Sequence, residues 1–214
     1  MAKLLIAGAT GLVGRHALLQ ALADDRVTQL VAPTRRPLAA HPKLLNPLID
    51  SNHLPLDAPW WAVDGALSAL GTTRAKAGSA AAFRAIDFDY TLAIARQLRE
   101  AGVKRFALTS SMGANARSRS FYLRVKGEIE EAIAQLGFSS YTIIRAGPLG
   151  GERDESRFIE RLMGGFLSRA GPILPPSIRI NPASAVAAFL IDAALSGAAG
   201  QHLIGSAQIA RSGL

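Results

Sequence analysis

"KLLIAGATGLVGRHALLQAL", residues 3–22, sets three glycines, Gly8, Gly11 and Gly14, between a short apolar run and a segment of helical period. Leu4–Ala7 reads as a buried strand and residues 12–23 as the helix that follows it. The spacing is G-x-x-G-x-x-G, one residue longer at its first step than the dinucleotide-binding G-x-G-x-x-G. Gly8 permits a tight turn, Gly11 lets backbone N–H groups approach a pyrophosphate, and Gly14 lets the helix pack against the strand, while the helix N-terminus faces negative charge. The expected occupant is a dinucleotide.

Outward from this unit, short apolar runs alternate with longer helical segments, the pattern of βαβ units on a parallel sheet. Further strands are expected at Thr28–Ala32, Leu45–Ile49, Ala66–Leu70, Phe106–Thr109 and Tyr141–Ile144, with a weaker one at His202–Gly205. Helices are expected near 81–101, 120–136 and 182–196, the first ending at Gly102. The fold class is therefore α/β, a Rossmann-like doubly wound parallel sheet. A chain of 214 residues fits one domain, 1–214. The alternation lapses over residues 150–181, "GGERDESRFIERLMGGFLSRAGPILPPSIRIN", so 151–181 is expected to be a small C-terminal insertion walling a substrate site.

The end of the second strand selects the dinucleotide, because an acid there binds a ribose 2′-OH and a base accepts a 2′-phosphate. The sequence reads "LVAPTRRP", with Arg35 and Arg36 at that place, and a guanidinium offers phosphate a fork of donors. NADP(H) is thus expected over NAD(H). Asp24 and Asp25 come before the strand, too early to replace the acid.

The net charge of +8 comes mainly from arginines spread along the chain, which favours anionic partners through long-range attraction. With two Trp, three Tyr and eight Phe, none regularly interleaved with the arginines, nucleic-acid binding has little support. The absence of cysteine excludes disulfides and thiolate sites. The four histidines have no metal-ligand spacing, so no metal is expected. There is no apolar run of the ~20 residues that span a bilayer, and glycines interrupt any N-terminal leader, so a cytoplasmic protein without membrane association is expected. No G-x-S-x-G elbow offers a hydrolase nucleophile.

The fifth strand, "RFALTSS", ends in Ser110 and Ser111, and "SFYLRVKGE", residues 120–128, carries Tyr122 and Lys126 four apart on one helix face. An ammonium beside a phenol favours the phenolate, so Tyr122 could exchange a proton with a carbonyl or alcohol while a serine hydroxyl binds the same oxygen. Y-x-x-x-K alone is common on helices, where both stems cover apolar surface. Its meaning depends on the glycine turn and the serine pair.

"GATGLVGR", the strand end "SS" and "YLRVK" together resemble the short-chain dehydrogenase/reductase superfamily in its atypical, short branch. "LGTTRAKAG", "DYTLAIARQL", "SSMGAN", "YLRVKGEIE" and "RAGPL…ESR" are similar, more narrowly, to the group formed by the human Tat-interacting tumour-suppressor protein and its bacterial relatives. The resemblance implies an NADP(H) site in which Gly8, Thr10, Gly11, Leu12, Val13 and Gly14 form the pyrophosphate loop and Arg35 and Arg36 meet the adenosine ribose. It assigns Leu70, Gly71, Thr72 and Thr73 to the stretch beside the cofactor, and the 143–149 segment, with Ala146 and Gly147, to the loop flanking the nicotinamide. Ser111, Tyr122 and Lys126 match the catalytic trio, Ser111 being preferred over Ser110. No counterpart of the relay asparagine of some members is evident.

Three functions follow. The first is hydride transfer between NADP(H) and a small carbonyl or alcohol, for which the positive charge favours an anionic substrate. The second is a non-catalytic NADP(H)-sensing or protein-binding module. The third, nucleotide-sugar epimerisation or dehydration, is disfavoured by the short chain after residue 150. Arg74, Lys76, Arg153 and Arg157 could bind an acidic substrate or serve only as solvated loop charge, and a homodimer is compatible with such folds.

Overall fold

The computed structural model describes residues 1–50, 53–150 and 180–212. Seven strands form one parallel sheet: β1 (Ala2–Ala7), β2 (Val27–Val31), β3 (Leu44–Leu45), β4 (Gly65–Ser68), β5 (Arg105–Ser111), β6 (Ser140–Ala146) and β9 (Gly200–Gly205), in the order β3-β2-β1-β4-β5-β6-β9. Two further short strands, β7 (Leu149–Gly150) and β8 (Asn181–Pro182), pair with each other outside this sheet. The order reverses between β1 and β4. Such a reversal opens a crevice at the carboxyl ends of the strands, where ligands bind in open α/β sheets.

Helices cover both faces. Leu4 and Ile6 of β1 join one core with Val13, Ala17 and Ala21 of α1 (Leu12–Ala23) and the alanine-rich face of α6 (Ala183–Ser196). Leu5 and Ala7 point the other way, into a core with Leu92, Ala95 and Leu98 of α4 (Thr91–Glu100) and Ile129 and Ile133 of α5 (Phe121–Ala134). A strand buried on both faces has no polar alternation, which is why β1 reads as an unbroken apolar run.

The expected helix over 81–101 is instead three pieces: α3 (Ala80–Arg84), a π-helical segment Ala85–Tyr90, and α4. The wider turn leaves the Ile86 carbonyl to accept the Thr91 hydroxyl at 3.1 Å, and it carries Asp87 into the protein interior. Such π turns concentrate at functional sites. The third strand is regular only at Leu44–Leu45, because Pro47 lacks an N–H. Pairing nevertheless continues irregularly, with Thr34 N–H donating to Pro47 O at 3.0 Å and Ile49 N–H to Thr34 O at 2.9 Å. The fourth strand stops at Ser68, two residues before the expected end, and a short α2 (Arg74–Ala77) follows the loop. A last helix, α7 (Ser206–Arg211), has no periodicity long enough to be seen in the sequence. Most of the expected insertion, residues 151–179 with Arg153 and Arg157, lies outside the described residues.

Candidate functional site

The glycine turn leaves β1 at the sheet's order reversal. Gly8 adopts φ +86°, and a Cβ on it would lie 2.8 Å from both Ala69 C and Leu70 N. A Cβ on Gly14 would lie 1.9 Å from Gly8 O. These two glycines therefore lock strand, helix and the loop after β4 together. Gly11 is the N-cap of α1, its N–H donates to Gly8 O at 3.0 Å, and no side chain caps the helix. A Cβ there would meet its nearest neighbour, Gly8 O, at 3.4 Å, which is tight but not a collision. Thr10 is exposed, Leu12 half-buried and Val13 buried along the same turn.

This difference predicts separable effects. Gly14→Ala must displace backbone rather than a flexible side chain and is expected to cost about 3 kcal/mol, at the upper end of ordinary overpacking. For a chain of this size that is a fall of roughly 6–12 °C in Tm. Gly11→Ala is expected to change stability by no more than ~1 kcal/mol. Thermal melts of the two variants give the comparison, and equal shifts would sink it.

Arg35 and Arg36 are exposed at the end of the β2 arm, and neither guanidinium has a hydrogen bond or ion pair among the described residues. On the other side of the crevice, Leu70 and Gly71 follow β4. Thr72 N–H donates to Asp87 Oδ2 at 2.9 Å, and Thr73 Oγ1 accepts Lys76 N–H at 3.2 Å.

Lys126 reaches this loop from α5. Its ammonium is 2.6 Å from Asp87 Oδ1, with the side chains only 8% and 0% exposed, and it stands 3.8 Å from where a Gly71 Cβ would be. The ammonium is thus paired with a buried carboxylate. Tyr122, one turn earlier, is 40% exposed, packs its ring at 5.7 Å from that of Phe83, and makes no hydrogen bond among the described residues. The sequence places Tyr122 and Lys126 on one face, but the interaction that holds the lysine comes from the π segment.

The two serines separate cleanly. Ser110 is buried, and its hydroxyl donates to Glu130 Oε1 at 2.5 Å. Glu130 also accepts Arg145 Nε at 3.0 Å and Nη2 at 2.6 Å, so β5, α5 and β6 are clamped by one carboxylate. Ser111 is partly exposed, and among the described residues its hydroxyl makes only a 3.3 Å contact to Met112 O. Gly127, which follows Lys126, sits where the 113–117 loop crosses α5; a Cβ there would fall 2.1 Å from Ala116 N. Beyond β6, Ala146 is buried and its carbonyl accepts Met112 N–H at 2.8 Å. Gly147 N–H donates at 2.7 Å to the fully buried Asn181, whose amide donates to Ser206 O at 3.2 Å.

Asp87, Asn46 and Asn181 carry no signal in the sequence, and Glu130, in the acidic stretch 127–131 that reads as solvated helix charge, is buried. "DFD" at 87–89 breaks the apolar period only weakly, Asn46 lies in a loop, and Asn181 lies in a two-residue strand too short to show a pattern. Among the described residues, no cluster of three or more His, Asp or Glu could hold a metal ion, and no helix is long and apolar enough to cross a membrane.

A glycine cradle at the β1/β4 reversal of a seven-stranded parallel sheet defines a NAD(P)-binding Rossmann protein. The chain belongs to the NAD(P)H-binding family, whose sequence model it matches over residues 8–194. It is similar to the mitochondrial protein fmp52 of Emericella nidulans, 38% identical over 185 residues, covering 81% of this chain and 78% of that one. The mitochondrial protein FMP52 of Coccidioides immitis is 34% identical over 228 aligned residues, 98% of this chain and 92% of that one. Among solved structures, MoeE5 in complex with UDP-glucuronic acid and NAD superposes with a TM-score of 0.74 at 20% identity, over 95% of this chain and 76% of that chain. A short-chain dehydrogenase family protein from Francisella tularensis superposes with a TM-score of 0.69 at 12% identity, over 99% and 100%. The names of the fungal relatives overturn the cytoplasmic expectation, since they assign those proteins to mitochondria.

Proposed function

We propose that this protein is an NADP(H)-dependent oxidoreductase that moves hydride to or from a small carbonyl or alcohol. One observation carries the reading: the Lys126 ammonium lies beside Gly71, on the loop next to the glycine cradle. A lysine in that position can donate to the ribose hydroxyls of a nicotinamide nucleotide bound over the loop. The nucleotide supplies the hydride. Tyr122 donates the proton to the carbonyl oxygen in reduction and accepts it in the reverse direction, and Ser111, which gives up only a 3.3 Å contact to Met112 O among the described residues while Ser110 is held by Glu130, hydrogen-bonds the same oxygen. An anionic substrate would be drawn to this positively charged protein.

Arg35 and Arg36 support the choice of NADP(H), since two guanidinium groups without a partner among the described residues, at the end of the second strand, favour a 2′-phosphate. Replacing both with alanine is expected to weaken NADPH binding about 10- to 100-fold, at ~1.4–2.7 kcal/mol for loss of charge-assisted hydrogen bonds, and to leave NADH nearly unchanged. Fluorescence titration of the reduced nucleotides measures this. Wild-type protein that binds NADH more tightly would remove NADP(H) from the reading.

The catalytic half is tested by incubating the protein with NADPH and a panel of aldehydes and ketones while following loss of reduced-nicotinamide absorbance. Oxidation that depends on a carbonyl supports the reading. Its absence across the panel, with NADPH bound, points to the second reading, an NADP(H)-sensing binding module. That reading draws on the pairing of Lys126 with Asp87, which engages the ammonium within the protein.

A further inference from the structure

The turn that carries Arg35 and Arg36 is built around one side chain. Asn46 Nδ2 donates to Ala32 O at 2.6 Å and to Thr34 Oγ1 at 2.8 Å, while its Oδ1 accepts Leu38 N–H at 2.8 Å. These contacts bracket the arginine pair on both sides. Thr34, only 6% exposed, completes the circuit by donating its hydroxyl to Arg36 O at 2.6 Å, and its backbone is held by Pro47 and Ile49. The turn is thus fixed by six hydrogen bonds that do not involve either guanidinium, and both arginine side chains project, exposed, from it.

We propose that Asn46 is a specificity-determining positioning residue, whose amide holds residues 32–38 in the shape that presents Arg35 and Arg36 to a 2′-phosphate and so sets the preference for NADPH over NADH. The inference rests on the NADP(H) reading above. Arginine side chains lose rotamer freedom on binding, and a loose backbone would add its own ordering cost; a turn already fixed avoids the second cost. Without Asn46, the Ala32 carbonyl and the Leu38 N–H lose their side-chain partner, and the turn must reorder each time a phosphate binds. NADH makes no use of the 2′-phosphate contacts and is insensitive to that change.

The test is titration of NADPH and of NADH into wild type, Asn46→Ala, Thr34→Val and the Arg35→Ala/Arg36→Ala double variant, with circular dichroism to verify folding. Asn46→Ala is expected to weaken NADPH about 10-fold and to move NADH less than about 3-fold. Thr34→Val, nearly the same shape but without the hydroxyl, is expected to shift the ratio in the same direction by a smaller factor. A simple structural role would weaken both nucleotides alike. An NADPH-to-NADH ratio unchanged in Asn46→Ala, when the double arginine variant abolishes the preference, overturns the role of Asn46 and leaves the NADP(H) reading standing. Wild type without an NADPH preference overturns both.

Discussion

Tyr122→Phe is expected to lower turnover by roughly 10²- to 10⁴-fold, the range a general acid–base group contributes. That corresponds to about 2.7–5.4 kcal/mol of transition-state stabilisation. The variant removes only the hydroxyl. The ring keeps its contact with Phe83, and no hydrogen bond among the described residues is lost, so stability should stay within ~0.5 kcal/mol of wild type. NADPH affinity should likewise hold, which makes the effect one on kcat. No other tyrosine can take over: burial pushes the phenols of Tyr90 and Tyr141 up, and Tyr141 is buried in the second core with its hydroxyl donating to Glu130 O at 3.3 Å. The measurement is kcat on whichever carbonyl the panel identifies. Full turnover in the variant would remove the tyrosine from the chemistry.

Asp87→Ala is expected to destabilise the protein by about 3–5 kcal/mol, because it leaves the Lys126 ammonium buried without its partner and the Thr72 N–H without its acceptor. The comparison that identifies the cause is Asp87→Leu/Lys126→Met. With both charges gone, the desolvation penalty goes as well, and the double variant should recover most of the loss. Urea denaturation of the three proteins reads both effects. A cost below about 1 kcal/mol for Asp87→Ala would mean that water in the crevice solvates the ammonium, and the pair would then resemble an exposed salt bridge. The double variant also separates stability from function, since it should fold and yet bind the reduced nucleotide more weakly for want of the lysine.

The arrangement has a cost that explains its form. A carboxylate with no exposed side-chain surface is stabilised here by two donors, the Lys126 ammonium and the Thr72 N–H, and both belong to the wall of the crevice. The π turn at Ala85–Tyr90 brings the carboxylate to that position, which a regular helix with the same sequence would turn elsewhere. Glu130 does similar work one turn further along α5, where it engages Ser110 and leaves the Ser111 hydroxyl to its 3.3 Å contact with Met112 O.

Much of the architecture could be read directly from the chain. β1, α1 and the glycine turn are local: a strand buried on both faces, a helix with its apolar stripe, and glycines where Gly8 needs positive φ and Gly14 needs absence of a Cβ. Each is a property of neighbouring residues, so periodicity and spacing reveal it. The same holds for α5, whose four-residue spacing put Tyr122 and Lys126 on one face.

What the tertiary structure alone decided was which side chain each of these groups meets. Asp87 meets Lys126, Glu130 meets Ser110 and Arg145, Asn46 meets the arginine turn, and Asn181 meets the loop after β6. Every one of these contacts joins residues from different elements, at separations where hydrophobic period carries no information. The identity of a polar partner follows from where packing brings two elements together, and a single asparagine or aspartate in a loop or a widened helical turn leaves no pattern in the sequence from which that meeting could be foreseen.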